Sequence, residues 1–288
     1  MYFIGCLRII TINYNNKNGI EKTISSVVSQ TYKDIQYIII DGDSTDGSVE
    51  VIKKYHEDID YWISEPDKGI YDAMNKGILK ATGDYVLFLN SGDYLISSDI
   101  IDNISHELDS NEDIVFGLLK TYPSGIIGYT DIHLPLTLLD FFKSSPIPHP
   151  ASFIKRELFQ KMNYDESLKI VADWSFFLQA VVFMGCSCKK IERIITVFED
   201  NGISNRNVVC CNEERLKVLK ELLPNAVFAD YFKFVSGMDY TLGDYELFFN
   251  QLKQYKYSKL VYIISVLLVR FISLFKISAH FSRKFPLK

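Results

Sequence analysis

The sequence predicts an α/β protein whose mainly parallel sheet is covered by helices on both faces. Residues 7–14, 35–40 and 85–89 are short runs that are apolar along almost their whole length. Helix-like segments separate these runs, and in residues 20–28 apolar side chains recur at the spacing of one helix face. Strands that are apolar on both faces and alternate with helices are typical of a parallel sheet between two helical layers.

The other predicted elements follow in chain order and are less regular in the second half. The turn-forming segments DGDSTDGS and NSGD end the second and third apolar runs. The patterns predict a strand at 61–64, a strand or helix at 151–161, and helices at 49–55, 69–81, 173–183, 213–223 and 244–257. We expect a main domain over residues 1–205, a helical extension over 206–250 and a tail over 251–288.

The composition is that of a folded protein with a large core. Hydrophobic residues make up 48% and charged residues 23% of the 288 residues, which excludes a disordered chain. The net charge of −5 argues against a nucleic-acid-binding protein. The five cysteines match no zinc spacing, so we expect reduced thiols. The first 16 residues indicate a strand rather than a signal peptide, which favours a cytoplasmic location.

Residues 251–288 form a basic and apolar tail. They contain eight Lys or Arg and no Asp or Glu, and because the whole chain carries −5, the first 250 residues carry −13. Residues 260–275 are strongly apolar but contain Arg270, and a membrane-spanning helix needs roughly 20 apolar residues. We favour a peripheral helix on the inner membrane surface. A helix packed on the domain, or on the second subunit of a homodimer, is the alternative.

Polar side chains follow each of the three apolar runs, and ligands of parallel sheets bind beyond the carboxyl ends of the strands. We therefore expect one polar pocket. A carboxylate at Asp41 can accept hydrogen bonds from a base or ribose, yet Asp-Gly is also an ordinary turn, and the two interpretations are even. A helix-capping role is favoured for Asp46. Asp93 could bind a divalent cation together with a diphosphate, or form a turn.

Four segments in a fixed order carry a stronger signal than any single residue. They are IITINYNN, QTYKDIQYIIIDGDSTDGS, EPDKGIYDAMNKGILKATGDYVLFLNSGD and VADWSFFLQA. Together they resemble the family-2 glycosyltransferases, which have the nucleotide-sugar-binding GT-A fold with its Rossmann-like sheet. The resemblance covers residues 7–205. It is most specific over residues 65–93, which resemble transferases of bacterial surface polysaccharides such as the colanic acid type.

The resemblance implies a nucleotide-sugar site at the strand ends. Asp41 matches the acidic residue that binds the base. The implied nucleotide-binding residues are Thr11, Asn13, Asn15, Asp41, Asp43, Lys68, Gly69, Asp72, Asn75, Asn90 and Ser91. Asp93 is the implied ligand for Mn²⁺ or Mg²⁺. The family's common Asp-x-Asp-Asp pattern reads Asn-Ser-Gly-Asp here, so only one carboxylate is kept.

The resemblance also implies a catalytic base and an acceptor side. Asp173 matches the family's acidic base, and a carboxylate can take the proton of a sugar hydroxyl as the new bond forms. The usual Glu-Asp pair reads Ala172-Asp173 here. Asp173 is also a candidate N-cap of its helix, and both roles can coexist. The residues expected on the acceptor side are His149, Trp174, Gly202 and Ser204, although a lone His before Pro is more often structural.

These implications describe an inverting, metal-dependent hexosyltransferase. It would move a sugar from a UDP-, GDP- or dTDP-sugar to a glycan or lipid-linked acceptor. A catalytically degenerate protein that binds a nucleotide or a partner is one alternative, motivated by Asn90 and Gly92. A sugar-nucleotide pyrophosphorylase is another, disfavoured because ITINYNNKNGI has one Gly and no Arg. No GxGxxG motif follows a strand, which argues against a dinucleotide oxidoreductase.

Overall fold

A nine-stranded mixed sheet forms the centre of the computed structural model, which describes residues 7–108, 111–199 and 207–236. By contacts between residues the chain separates into two compact units, Met1–Phe228 and Ala229–Lys288, and the whole sheet belongs to the first. In order across the sheet the strands are Tyr61–Ser64, Ile35–Asp41, Leu7–Asn13, Tyr85–Phe88, Ser152–Lys155, Ile114–Tyr122, Cys188–Glu199 and Tyr94–Leu95, and Ile127–Gly128 pairs with Ile114–Tyr122. The α/β class with a Rossmann-like parallel half is therefore confirmed.

The first four strands are parallel, as the apolar runs predict. They are β1 (Leu7–Asn13), β2 (Ile35–Asp41), β3 (Tyr61–Ser64) and β4 (Tyr85–Phe88). β1 lies between β2 and β4, and β3 pairs with the outer side of β2. All seven residues of β1 are buried. Successive side chains of such a strand enter the core on alternate faces of the sheet, which explains its continuous apolar run.

Helices cover both faces of this parallel half. On one face α1 (Lys17–Val28), α2 (Ser48–Lys54) and α4 (Ile100–Leu108) bury aliphatic side chains against the sheet. On the other face α3 (Ile70–Lys80) buries Tyr71 and aliphatic residues against β1 and β2. The two predicted helical layers are therefore present.

The second half adds strands of both directions. They are β5 (Tyr94–Leu95), β6 (Ile114–Tyr122), β7 (Ile127–Gly128), β8 (Ser152–Lys155) and β9 (Cys188–Glu199). β8 is antiparallel to both β4 and β6, whereas β6 and β9 are parallel. The sheet is therefore parallel around β1 and mixed beyond β4.

Five helices complete the described structure. They are α5 (Leu138–Lys143), α6 (Arg156–Lys161), α7 (Ala172–Leu178), α8 (Val208–Leu222) and α9 (Asn225–Ser236). The predicted C-terminal helical extension is thus confirmed, and the segment 151–161 contains both a strand and a helix. None of the helices in the described ranges is long and apolar enough to cross a membrane.

The helix predicted over 173–183 is present, but only its first part is α-helical. The α-helix begins one residue earlier and ends at Leu178, and a π-helical turn, Gln179–Phe183, follows it. The predicted helix at 244–257 and the tail at 251–288 lie outside the described residues. The boundary at 205–206 falls in the gap 200–206, so the division into domains stays a prediction.

A glycine allows α3 to approach the sheet closely. A Cβ atom placed on Gly77 would lie 2.5 Å from Ile10 Cγ2, well inside the distance of an ordinary contact. Ile10 is fully buried in the middle of β1, so it has little room to move away. Gly77 therefore sets the depth at which α3 packs, and with it the position of the side chains at the start of α3.

We expect Gly77→Ala to destabilise the protein by about 1–3 kcal/mol, because the added methyl group overpacks this contact. The same change at an exposed helical position would stabilise by about 1 kcal/mol. Urea denaturation measures the difference. Leu79→Ala is the control on the same helix, because Leu79 is 80% exposed. A more stable Gly77→Ala variant would show that the close packing of α3 is not required.

Candidate functional site

The ends of β1 and β2 bring Asn13 and Asp41 side by side. The two residues are partners in the parallel register, and Asn13 Nδ2 donates a hydrogen bond to Asp41 Oδ1 at 2.6 Å. Both residues are polar, yet Asn13 is 4% and Asp41 0% exposed. The prediction that polar residues of neighbouring strand ends meet is confirmed for this pair.

Asp41 accepts four hydrogen bonds. Its Oδ1 accepts from Asn13 and from Ser44 Oγ, and its Oδ2 accepts from Ser44 N and Ser64 Oγ. A buried carboxylate is costly unless hydrogen bonds compensate it, and four of them match its lone pairs. Asn13 Oδ1, in contrast, is buried without a partner among the described residues. The unsatisfied acceptor at this strand end is therefore on Asn13 rather than on Asp41.

The turn after β2 is locked to the turn after β1. Asn15 Oδ1 accepts from Thr45 N at 2.9 Å, and Asn15 N donates to Ser44 Oγ at 2.8 Å. The N-cap of α2 is Gly47 and not, as the capping interpretation has it, Asp46. Asp46 still accepts from Ser48 N in the first turn of α2, and also from Lys17 N at the start of α1. The nucleotide-binding candidates Asn15 and Asp43 are exposed on this turn, both with positive φ.

The segment after β4 joins the same edge of the sheet. Ser91 N donates to Ile12 O at 3.0 Å, so the parallel pairing with the first strand continues past β4. Asn16 Nδ2 donates to Ser91 O at 2.9 Å, and Thr23 Oγ1 donates to Asp93 O at 2.7 Å. The candidates Asn90, Ser91 and Asp93 therefore lie beside the end of β1, as the sequence predicts.

Asp93 is buried and poorly compensated. It is 5% exposed, and its Oδ1 accepts from Glu199 N at 3.2 Å. Burial raises the pKa of Asp93 to about 8; the Glu199 carboxylate raises it as well, and the Lys22 ammonium and the Glu199 amide oppose the shift. Lys22 is also 3.8 Å from Glu199 and lies over the Tyr94 ring.

Asp93 and its neighbours Asn90 and Glu199 carry oxygen atoms of the kind that hard divalent cations prefer. Asp93 and Glu199 provide carboxylates, and Asn90 Oδ1 is buried without a partner among the described residues. Mg²⁺ needs few protein ligands when a diphosphate supplies the rest. No group of three or more His, Cys, Asp and Glu side chains that could hold a metal occurs within the described ranges. A cation here would have to displace the proton of Asp93.

The loop before α3 and the first turn of this helix carry three more nucleotide-binding candidates, Lys68, Gly69 and Asp72. Lys68 and Gly69 are exposed, and Gly69 has a φ of +133, which only glycine adopts easily. Lys68 N donates to Asp72 Oδ2 at 2.9 Å, and Lys76 pairs with Asp72 at 3.4 Å. Burial raises the pKa of the neighbouring Asp67, and the Asp41 carboxylate contributes, so this loop lies near the end of β2.

Two of the nucleotide-binding candidates are engaged inside the protein. Thr11 is fully buried, and its hydroxyl forms a hydrogen bond with the Tyr37 hydroxyl at 3.0 Å. Asn75 Nδ2 donates to Tyr164 O and to Glu166 Oε1, both at 3.0 Å. Asn75 Oδ1 accepts from Tyr164 N at 3.1 Å. Both side chains are therefore already hydrogen-bonded within the fold, and a nucleotide contact by either residue stays a prediction.

Asp173 is held by a tyrosine from α3. Tyr71 OH donates to Asp173 Oδ1 at 2.9 Å and lies 2.6 Å from Ile170 O. Asp173 is half-buried in the first turn of α7, and the N-cap is Val171. The interpretation of Asp173 as an N-cap is therefore wrong. The charge of Asp173 also raises the pKa of Tyr129 and of Tyr164, so its carboxylate lies near the hydroxyl groups of neighbouring elements.

The acceptor-side candidates that are described lie in an aromatic core. His149 Nε2 and Tyr164 OH are 2.8 Å apart, and the His149 ring stacks on Phe88 at 5.1 Å. Burial lowers the pKa of His149, and the Asp173 carboxylate opposes the shift. Trp174 is buried and donates to Ser144 O at 3.1 Å. These contacts favour structural roles. Gly202 and Ser204 lie outside the described residues.

Sequence reasoning missed several residues that build the site. Ser44, Ser64 and Asn16 bond the strand ends, Tyr71 bonds Asp173, and Glu199 faces Asp93. Most of these pairs are far apart in the chain. Periodicity and turn composition give no signal for such pairs, although Ser44 and Tyr71 stand inside the motifs that carry the resemblance.

Comparison with known proteins decides the family. Residues 8–168 match the family described as Glycosyl transferase family 2. The chain belongs to glycosyltransferase family 2. An uncharacterised glycosyltransferase of Mycobacterium tuberculosis is 33% identical over 202 residues, which are 68% of this chain and 76% of the relative. A PGL/p-HBAD biosynthesis glycosyltransferase of the same species is 26% identical over 63% of this chain and 72% of its own.

Solved structures of glycosyltransferases share the GT-A fold of this family member. The Staphylococcus aureus TarS fragment 1–349, solved with UDP-GlcNAc, superposes with a TM-score of 0.62 at 16% identity, over 80% of this chain and 71% of that one. The mannosyltransferase PcManGT of Pyrobaculum calidifontis, solved with GDP-Man and Mn²⁺, has a TM-score of 0.61 at 14% identity, over 92% and 87%. At these identities the likeness shows the fold.

The raised pKa of Asp93 predicts a pH-dependent stability cost. The folded protein keeps the proton up to about pH 8, whereas the ordinary value is 3.8. Without metal, stability is therefore lost progressively as the pH rises between these values, and the loss is complete above about 8. We expect Asp93→Asn to be more stable than the native protein by on the order of 3 kcal/mol at pH 8.5, and similar at pH 4.5.

Urea denaturation in EDTA at the two pH values measures this difference. Asp58→Asn is the control, because Asp58 is an exposed carboxylate and its loss should change stability equally little at both pH values. An Asp93→Asn variant that gains no stability at high pH would show that the carboxyl group ionises without cost.

Proposed function

We propose that this family-2 protein is an inverting glycosyltransferase that acts on a nucleotide-sugar donor and a hydroxyl acceptor. The observation that carries the proposal is the hydrogen bond from Tyr71 to Asp173, because Tyr71 belongs to the helix that follows the donor-side loop. That bond holds one carboxylate oxygen, and no described residue donates to Asp173 Oδ2. A carboxylate held at one oxygen and open at the other suits a general base.

In the proposed reaction Asp173 Oδ2 takes the proton of the acceptor hydroxyl. The acceptor oxygen forms a bond to the anomeric carbon from the face opposite the leaving group. The bond between that carbon and the diphosphate oxygen breaks, and the nucleoside diphosphate leaves with the electron pair. Attack from the opposite face inverts the anomeric configuration. Positioning of the two substrates supplies a large part of the rate acceleration.

The donor nucleotide would bind across the ends of β1 and β2. We assign base recognition to Asn13 Oδ1, a buried acceptor without a partner among the described residues, and orientation of Asn13 to Asp41. An N–H group on the edge of a uracil, thymine or guanine base would complete its hydrogen bonding. The neighbouring structures with UDP-GlcNAc and with GDP-Man support a sugar nucleotide as donor.

A divalent cation would be held by Asp93, with Asn90 Oδ1 and Glu199 as further oxygen ligands. When bound, Mn²⁺ or Mg²⁺ supplies positive charge that stabilises the departing diphosphate. The Mn²⁺ in the mannosyltransferase structure supports this choice. Lys22, which already faces Glu199, would add a second positive charge at the same edge.

The acceptor would be a glycan or a lipid-linked sugar of surface polysaccharide or glycolipid biosynthesis. A relative named for PGL/p-HBAD biosynthesis supports this class of product. Attachment to the cytoplasmic membrane surface rests on the basic tail at 251–288, which lies outside the described residues, and stays a prediction. The family match counts against the pyrophosphorylase alternative. A degenerate protein that binds nucleotides without turnover is the remaining rival.

Calorimetric titration with UDP, GDP and dTDP, each with and without Mn²⁺, tests the donor site. We expect one nucleotide to bind, more tightly with Mn²⁺, and Asp93→Ala to abolish the effect of Mn²⁺. Asn13→Ala should weaken binding about tenfold at either condition, because the base loses its acceptor. Asn103→Ala is the control, because Asn103 is an exposed asparagine on α4, away from the ends of β1 and β2. Binding of no nucleotide would contradict the donor-site assignment.

Asp173→Asn separates the transferase from a degenerate binding protein. The amide cannot accept the acceptor proton, so we expect kcat to fall by about 10²–10⁴-fold while nucleotide affinity stays unchanged. Release of the nucleoside diphosphate from the bound donor measures the rate. Glu157→Gln, an exposed carboxylate at the start of α6, should keep full activity. A native protein that binds its nucleotide and turns nothing over would favour the degenerate alternative.

A further inference from the structure

The carboxylate of Glu214 in α8 lies against the backbone that leads into α7. Its Oε1 accepts from Lys169 N at 2.7 Å, and its Oε2 accepts from Ile170 N at 3.0 Å and Val171 N at 3.3 Å. Three successive amides therefore point to one carboxylate. Hydrogen bonds to a charged acceptor are roughly twice as strong as those between neutral groups. The contact anchors the chain immediately before Asp173.

The segment before α7 has no acceptor of its own at this point. Val171 is the N-cap, and its aliphatic side chain makes no capping hydrogen bond. Ser, Thr, Asp and Asn are the residues that normally satisfy a helix start from within the chain. Glu214, which belongs to a different helix, accepts the hydrogen bonds of the amides that precede α7. The approach to α7 is therefore set by α8, which lies beyond the family-matched residues 8–168.

Glu214 and Tyr71 hold the same short segment from two sides. Tyr71 OH contacts Ile170 O and donates to Asp173 Oδ1, while Glu214 accepts from Ile170 N. The peptide groups on either side of Ile170 are thus fixed by elements that flank α7. Loss of either contact frees the backbone from which Asp173 projects. A misplacement of about 1 Å at a reacting group can lower the rate about 100-fold.

We propose that Glu214 is a positioning residue for Asp173, a role that rests on the proposed function of Asp173 as the base. It acts through the backbone of the segment 169–171 and does not touch the substrates. The donor nucleotide binds at the ends of β1 and β2, which Glu214 does not contact. Removal of its carboxylate should therefore lower kcat and leave the KM of the donor unchanged.

Other contacts keep α8 in place when the carboxylate is removed. Cys211, Val218 and Leu219 are buried in the core, and the Arg215 guanidinium lies over the Trp174 ring at 5.4 Å. Loss of the Glu214 carboxylate should consequently loosen the segment 169–171 without detaching the helix. This distinguishes a positioning role from general stabilisation, and it can be measured at the backbone amides.

The experiment compares Glu214→Ala, Glu214→Gln and the control Glu213→Gln. Glu213 is the exposed neighbour on the same helix, so its variant loses the same charge without these hydrogen bonds. The rate is the release of UDP from UDP-GlcNAc or of GDP from GDP-Man, with water or a simple sugar as acceptor. Hydrogen exchange at the amides of residues 169–171 and thermal unfolding are measured on the same full-length proteins.

We expect Glu214→Ala to lower kcat roughly ten- to hundredfold with the donor KM within about twofold of native. The kcat of Glu214→Gln should lie between those of Glu214→Ala and the native protein, because the glutamine amide keeps one oxygen as an acceptor. Exchange at 169–171 should become faster in both variants and stay native in Glu213→Gln.

Full activity of both Glu214 variants would overturn the positioning role alone. Unchanged hydrogen exchange at the amides of 169–171 would overturn it too. The same holds for variants in which the donor KM rises as thermal stability falls, because that result indicates general destabilisation. A native protein that releases neither nucleotide, although it binds one, would overturn the proposed function and the positioning role with it.

Discussion

The parallel pairing of β1 with both β2 and β4 decides where the polar side chains of the candidate site lie. Because all three strands run in the same direction, their carboxyl ends share one edge of the sheet. The register then makes Asn13 the partner of Asp41 and continues through Ser91, which bonds the end of β1. A shift by one residue would turn Asn13 to the other face and place an aliphatic side chain beside Asp41.

Two buried carboxylates at this edge are in opposite electrostatic situations. Asp41 accepts four hydrogen bonds, whereas Asp93 accepts one from Glu199 N and faces the Glu199 carboxylate. The first is satisfied within the fold and can orient Asn13 without a ligand. The second is costly to ionise until a cation compensates it. The strand ends therefore place a carboxylate that is satisfied within the fold beside one that is not. A cation that binds only the folded protein would stabilise it at the second carboxylate.

The sequence predicted the parallel half of the fold well and the second half less well. The apolar runs around β1, β2 and β4 have no alternation, and the turn-forming residues that follow them locate the strand ends within one or two residues. The mixed strands beyond β4 and the π-helical turn after α7 depend on tertiary packing, for which periodicity gives no signal. Thr11 and Asn75 show the same limit, because their partners are distant in sequence.

The proposed base depends on elements that have little in common in sequence. Tyr71 belongs to the motif-rich first half, and Gly77 on the same helix sets how deeply α3 packs on β1. Glu214 comes from a helix beyond the family-matched residues. Asp173 is therefore held on one side by α3, which packs on the parallel half of the sheet, and on the other side through the contact of Glu214 in α8 with the preceding backbone. The position of the proposed base therefore depends on both contacts. A change in α8 would shift the carboxylate that faces the acceptor and leave the ends of β1 and β2 unchanged.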